Sequence, residues 1–408
     1  MRSLRFVSKR DKIQGIILMK VSGLLLAFLI GCVATLSFNK TRFVQPPVVK
    51  SETMQEAHSV AYGETQDGQK VTLFKCVNEN GLILKVIDYG ATVVALETPD
   101  RDKNFSNIIL TCPNIQAYEA NDTYIGSTIG RYCNRIAKGK FSIDGQSFQL
   151  ATNDGENHSH GGLRGWDKTL WDGELIQDED SIGVRFQLTS LDGDEGYPGT
   201  VVATVEYRLT NNDELIVDFW AETDQPTHVN LTNHNYWNLG GQNSKSILNH
   251  ELKLVAENYL PLDESLVPSQ NLVSVEDSPF DFREFHTIGQ RIEQTSSVPD
   301  GYDHCFAFDG YSSQSDEVFL AAVAKDPESG RVMEIHTTQP GAQFYTGNFL
   351  DGSEGSGGYE LHRGFCLKTQ HYPNSPNQSE FPSTLLMPGE KMHERTIHRF
   401  YVEKEAAQ

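Results

Sequence analysis

Apolar and polar residues alternate with a period of two along most of the chain after Tyr62. β-branched and aromatic side chains fill the alternating positions, as in half-buried strands. The runs "KVTLFKCV", "IGVRFQLTS", "TVVATVEYRLT", "ELIVDFWAET" and "RVMEIHTTQ" each read as one strand. "LILKVIDYGATVVALETPD" reads as two, broken at Gly90. "FSIDGQSFQL" has two alternating arms around Asp144-Gly145, a dipeptide suited to a tight hairpin turn. Long amphipathic helical patterns are nearly absent, and no repeat of fixed period appears. The pattern predicts an all-β fold, one large antiparallel β-sandwich over residues 61–404.

One strand carries a question. In "GFCLKTQHYPN", residues 364–374, alternation puts Phe365, Leu367 and Thr369 on one face. Cys366, Lys368 and Gln370 take the other, so a lone lysine sits in an uncharged run. Either it points to solvent or it stands where chemistry happens.

The loops between strands gather glycine, asparagine, histidine and aromatic residues, as in "TNDGENHSHGGLRGWD" and "TNHNYWNLGG". Loops on a rigid scaffold are where sites usually form. If 227–241 is extended, His228, Asn230, Thr232 and His234 share one face. That face is then either the wet side of a sheet or the wall of a polar cleft with Tyr236 and Trp237 beside it. Aromatic faces next to amides and imidazoles suit a sugar. His158 and His160 in "HSH" have no second spaced pair to complete a metal site. "DGDEG" at 192–196 lacks the remaining ligands of a calcium loop, and no metal centre is expected.

Composition changes this picture little. The 408 residues are 38% hydrophobic and 22% charged, which is ordinary for a globular protein. A formal net charge of −21, with no basic stripe in the body, argues against a nucleic-acid partner. Cys76, Cys112, Cys133, Cys305 and Cys366 have no CxxC spacing and read as buried free thiols.

The N-terminus differs from the body. Basic residues precede a run without charge from Val21 to Asn39 that contains "LLLAFLIGC". Residues 1–38 read as a lipoprotein signal ending at Cys32, an uncleaved membrane anchor or a secretory signal. Residues 39–60 read as a linker. Each alternative predicts a cell-envelope or otherwise extracytoplasmic body, with membrane contact only through this segment. The sequence leaves the oligomeric state open.

Taken together, "IGRYCNRIAKGKFSIDGQSFQL", "NHSHGG", "GWDK", "LDGDEGYPG", "LTNHNYWNLGG", "YDHCF", "GAQFYTGNFLDG" and "TQHYPNSPNQSEFPSTLLMPGE" resemble the aldose 1-epimerases, or galactose mutarotases. The resemblance runs in order through the body. It implies a β-supersandwich with an open sugar cleft and interconversion of α and β hexose anomers without a cofactor. Such a reaction takes the proton from the anomeric hydroxyl and delivers one to the ring oxygen. By resemblance His234 is the proton donor. His160, Asn134, Arg135, Asp303 and Gln343 bind sugar, and Asn235, Tyr236 and Trp237 shape the pocket. The family reads "LETQ", with glutamate as proton acceptor, where this chain reads "LKTQ". Lys368 therefore stands in the acceptor's place, across the sugar from His234. An ammonium has no lone pair to accept a proton. Three outcomes stay open: Lys368 as a base of lowered pKa, a slow enzyme served by another group, or a sugar binder without turnover. A fourth reading is an epimerase of an anionic sugar that pairs with Lys368.

Overall fold

The computed structural model describes residues 55–268, 271–295 and 299–403. The N-terminal readings, Cys32 included, lie outside the described residues. The first strand, Glu56–Glu64, begins inside the stretch assigned to a linker. All the strand pairs are antiparallel, and the alternating runs become strands close to their sequence limits. Asp144 and Gly145 form the expected hairpin turn with φ of 50° and 81°, joining Lys140–Ile143 to Gln146–Gln149.

Among the described residues the largest sheet has nine strands. Its centre runs Ser181–Ser190, Val201–Thr210, Glu214–Thr223, Met392–Val402 and Arg331–Thr337. Every second side chain there is fully inside: Ile182, Val184 and Phe186, then Ala203, Val205 and Tyr207, then Leu215, Val217 and Phe219. A five-stranded sheet, from Glu56–Glu64 to Phe105–Asn107, sends Phe74, Leu84, Val86 and Val93 into the same core. The ring of Phe74 meets that of Phe186 edge-on at 5.5 Å, joining the two sheets.

A second five-stranded sheet carries the site. Its last three strands are Asp303–Ala307, Gly341–Tyr345 and Cys366–Gln370. Phe306, Phe344 and Leu367 belong to the common core. Period two therefore sends their neighbours to the opposite face. In register, Cys305, Gln343 and Lys368 form one row, and Asp303, Tyr345 and Cys366 the next. All five residues of Cys366–Gln370 are buried, so the lysine does not point to bulk solvent. The five described cysteines are buried and free, as expected.

Candidate active site

A cavity of about 320 Å³ opens over that polar face. Lys368, Asp303 and Tyr345 reach it from the sheet. His234 reaches it from the loop after Thr232–Asn233, which pairs with Thr128–Ile129. The backbone N–H of His234 donates to Ser127 at 2.8 Å and fixes the approach. Asn134, Arg135 and His160 also line the cavity, the His160 ring 5.3 Å from that of His234. Arg135 and Ser159 are held by a two-residue antiparallel pairing. Gly161 explains the "HGG" motif: with φ of 88°, a Cβ there would lie 1.9 Å from the Gly130 carbonyl oxygen.

Lys368 Nζ lies 2.9 Å from His234 Nε2. The two groups expected on opposite sides of a ligand therefore stand side by side on one wall. Nothing fits between them; a ligand must present both of its reacting atoms to this pair. Burial lowers the Lys368 ammonium's pKa from its ordinary lysine range. Burial, and then the Lys368 charge, push His234 well below the usual imidazole value. The same two causes depress His160, whose Nδ1 accepts the Asn134 backbone N–H at 3.2 Å. That bond assigns His160 as neutral with its proton on Nε2. His234 is therefore neutral at neutral pH, and Lys368 donates to its Nε2.

Arg135 organises the acidic groups. Its Nε donates to Asp154 Oδ2 at 2.7 Å, and Nη1 lies 3.9 Å from Asp303 Oδ2. Gln343 stands behind Asp303, and its Nε2 donates to both Asp303 Oδ1 and the Asp303 backbone oxygen at 2.8 Å. Aromatic rings finish the cavity. Tyr124 lies 4.6 Å from His160 and 5.8 Å from His234, centroid to centroid. Tyr236 lies 5.1 Å from His234, and its hydroxyl donates to the Thr123 carbonyl.

Of the residues expected to touch a ligand, seven line the cavity: His234, Lys368, Asn134, Arg135, His160, Tyr236 and Asp303. Three do not. Trp237 faces the core, its ring 5.0 Å from His398 and 6.0 Å from Phe400, because its backbone pairs with Phe365 on the core side. Asn235 is buried beside the donor loop, where its N–H bonds to Asn233. Gln343 acts through Asp303. The polar face proposed for 228–234 also dissolves. His228 bonds to Thr384, Asn230 to His371 and Thr232 to the Thr369 carbonyl. These bonds fasten the loop that bears His234 to the segments around Lys368. His158 turns away from His160 to bond Ala151 and Tyr197. In "DGDEG" the Glu195 carboxylate accepts the amides of Leu163 and Arg164.

Sequence reasoning missed Tyr124, Asp154, Tyr345 and Phe349 as cavity walls. Tyr345 and Phe349 lay inside the quoted "GAQFYTGNFLDG"; nothing in the pattern marked Tyr124. Tyr124 has φ of 60°, as Asn134 (61°) and His160 (49°) do.

Comparison with known proteins agrees with this geometry. The family model described as aldose 1-epimerase matches residues 72–399. A galactose mutarotase of Bos taurus is 42% identical over 324 residues, covering 79% of this chain and 92% of the relative. An aldose 1-epimerase of Escherichia coli is 36% identical over 343 residues, covering 83% and 97%. The crystal structure of a galactose 1-epimerase from Lactobacillus acidophilus superposes with a TM-score of 0.76 at 27% identity, covering 86% of this chain and all of that one. With the antiparallel sandwich, the cavity and the His234–Lys368 pair in place, the chain belongs to the aldose 1-epimerase family.

Proposed function

We propose that this enzyme interconverts the α and β anomers of hexopyranoses, with His234 and Lys368 exchanging the protons. The observation that carries the reading is the 2.9 Å contact of two titratable nitrogens on the cavity wall. The anomeric hydroxyl and the ring oxygen are borne by one carbon. Two adjacent nitrogens that share one proton match two oxygens that exchange one.

In the forward step the Lys368 N–H that rests on His234 Nε2 turns to the ring oxygen, and the freed Nε2 of neutral His234 takes the proton of the anomeric hydroxyl. The bond from the anomeric carbon to the ring oxygen breaks as the carbonyl forms. The ring oxygen takes a proton from the Lys368 ammonium. The aldehyde then rotates about its C1–C2 bond and closes on its other face. The imidazolium returns its proton to the anomeric oxygen, and the amine recovers one from the closing hydroxyl. The proton count balances with these two groups. The roles are the reverse of those the resemblance implied. Lysine in the acceptor's place makes histidine the acceptor, because the ammonium can only donate until it has given up a proton. Asp303, oriented by Gln343 and Arg135, accepts sugar hydroxyls, and His160 donates from Nε2.

Polarimetry of freshly dissolved α-galactose and α-glucose tests this reading. Acceleration well above buffer is expected, and loss of it in His234→Ala. Binding without acceleration would instead establish a sugar-binding protein. For the N-terminal segment we propose lipidation at Cys32 and work outside the cytoplasm, supported by the charged-then-apolar pattern and "LIGC". A mature N-terminus carrying no lipid by mass spectrometry would contradict that.

A further inference from the structure

The Lys368 side chain is buried at the cavity wall, yet its ammonium makes no ion pair with any carboxylate of the described residues. Its hydrogen-bond partner is neutral His234, and the Tyr345 ring lies 5.5 Å away. A buried cation without a counter-ion is costly, and burial alone accounts for most of the drop in its pKa. Two of the three carboxylates on the lining are engaged elsewhere, although Asp303 still favours the Lys368 charge from a distance. Asp154 is bound by Arg135, and Asp303 is held by Gln343 with Arg135 behind it. Asp122, also on the cavity lining, makes no ion pair with Lys368. The missing negative charge has a cavity of about 320 Å³ in which to arrive.

We infer that the preferred substrates are hexopyranoses carrying one carboxylate at C6, hexuronic acids, whose negative charge settles on Lys368. This rests on the epimerase reading and names its substrate class. The chemistry converges on one nitrogen. An ammonium has three donors. One rests on His234 Nε2 until that nitrogen takes the anomeric proton, and one serves the ring oxygen. In a hexuronate, C5 bears both the ring oxygen and the carboxylate carbon, so the third N–H falls beside a carboxylate oxygen. The same contact keeps Lys368 protonated and able to act as the acid. A single unpaired cation matches a single negative charge. The other lining cation, Arg135, is already committed, so a phosphate dianion would be left half-neutralised.

The test compares mutarotation of galacturonate, galactose and galactose 6-phosphate at neutral pH, each corrected for its spontaneous rate. The wild-type enzyme is expected to show kcat/KM for the uronate on the order of tenfold or more above the neutral hexose. The 6-phosphate should fall below the uronate. Lys368→Glu should reverse the order of uronate and hexose. Equal or higher kcat/KM for galactose in the wild type overturns the inference and leaves the epimerase reading standing. A 6-phosphate preferred over the uronate overturns the one-charge assignment. If no sugar is accelerated, the epimerase reading has failed, and calorimetry still decides the charge. Galacturonate bound by the wild type and not by Lys368→Met supports the inference; no binding of galacturonate by the wild type overturns it.

Discussion

Two buried cations, Arg131 and Lys368, are enclosed to a similar degree, at 1% and 4% exposure, and do different things. Both terminal nitrogens of the Arg131 guanidinium are fixed, while its buried Nε has no partner among the described residues. Nη1 donates to the carbonyls of Pro198 and Gly199 at 2.9 and 2.8 Å, and Nη2 to Ser190 Oγ at 2.6 Å and the Leu191 carbonyl at 3.1 Å. Its charge is held by backbone carbonyls and by the Ser190 hydroxyl, itself bonded to Asp194, so it ties the "LDGDEGYPG" loop to the segment leading into Asn134 and Arg135. Lys368 has one polar partner, and that partner titrates. Burial with saturated, fixed acceptors makes a structural charge. Burial beside an open cavity, with a single acceptor that exchanges protons, makes a chemical one.

The largest expected effect lies on the chemical side. His234→Ala removes the acceptor and should lower the mutarotation rate by about 10²–10⁴-fold, with the thermal melting curve little changed. A large loss of stability with the rate intact would place His234 with Arg131 as a structural group. Arg131→Met is the converse. It strands several buried carbonyls and should cost about 3–5 kcal/mol in denaturant unfolding, while the folded fraction keeps its rate.

Smaller effects sharpen the boundary. Gln343→Leu leaves the chemical pair untouched and frees the Asp303 carboxylate, so KM should rise about tenfold with kcat much less changed. The pH profile of the rate comes last. Activity needs Lys368 charged and His234 neutral. Both pKa values are lowered, so the acid limb should lie well below the usual histidine range and the alkaline limb below the usual lysine range. An acid limb at the ordinary histidine value would mean that His234 is neither desolvated nor beside a charge.

The sandwich was legible in the sequence because strand period two is imposed by the backbone. Leu367 facing the core, and Lys368 facing away, followed from counting alternate positions. Loops have no such period. "TNHNYWNLGG" shows Tyr236 and Trp237 side by side, yet one lines the cavity and the other packs on Phe400. Tertiary pairing with Phe365 decides between them, and that partner lies far along the chain. Gln343 reads as a ligand-binding residue only through the resemblance carried by "GAQFYTGNFLDG"; the geometry shows Asp303 standing in front of it. The contact of His234 with Lys368 was likewise invisible, since it depends on the braces from Asn230 and Thr232 to the segment after Phe365.

The central claim is that Lys368 supplies a proton the reaction consumes and returns. Polarimetry of α-galactose with the wild type and Lys368→Met, side by side, tests it most directly, since methionine keeps the bulk and removes the proton. The account expects rapid anomerisation by the wild type and a rate at least about 10²-fold lower for the variant. Equal rates for the two proteins, whether fast or no faster than buffer, would contradict it.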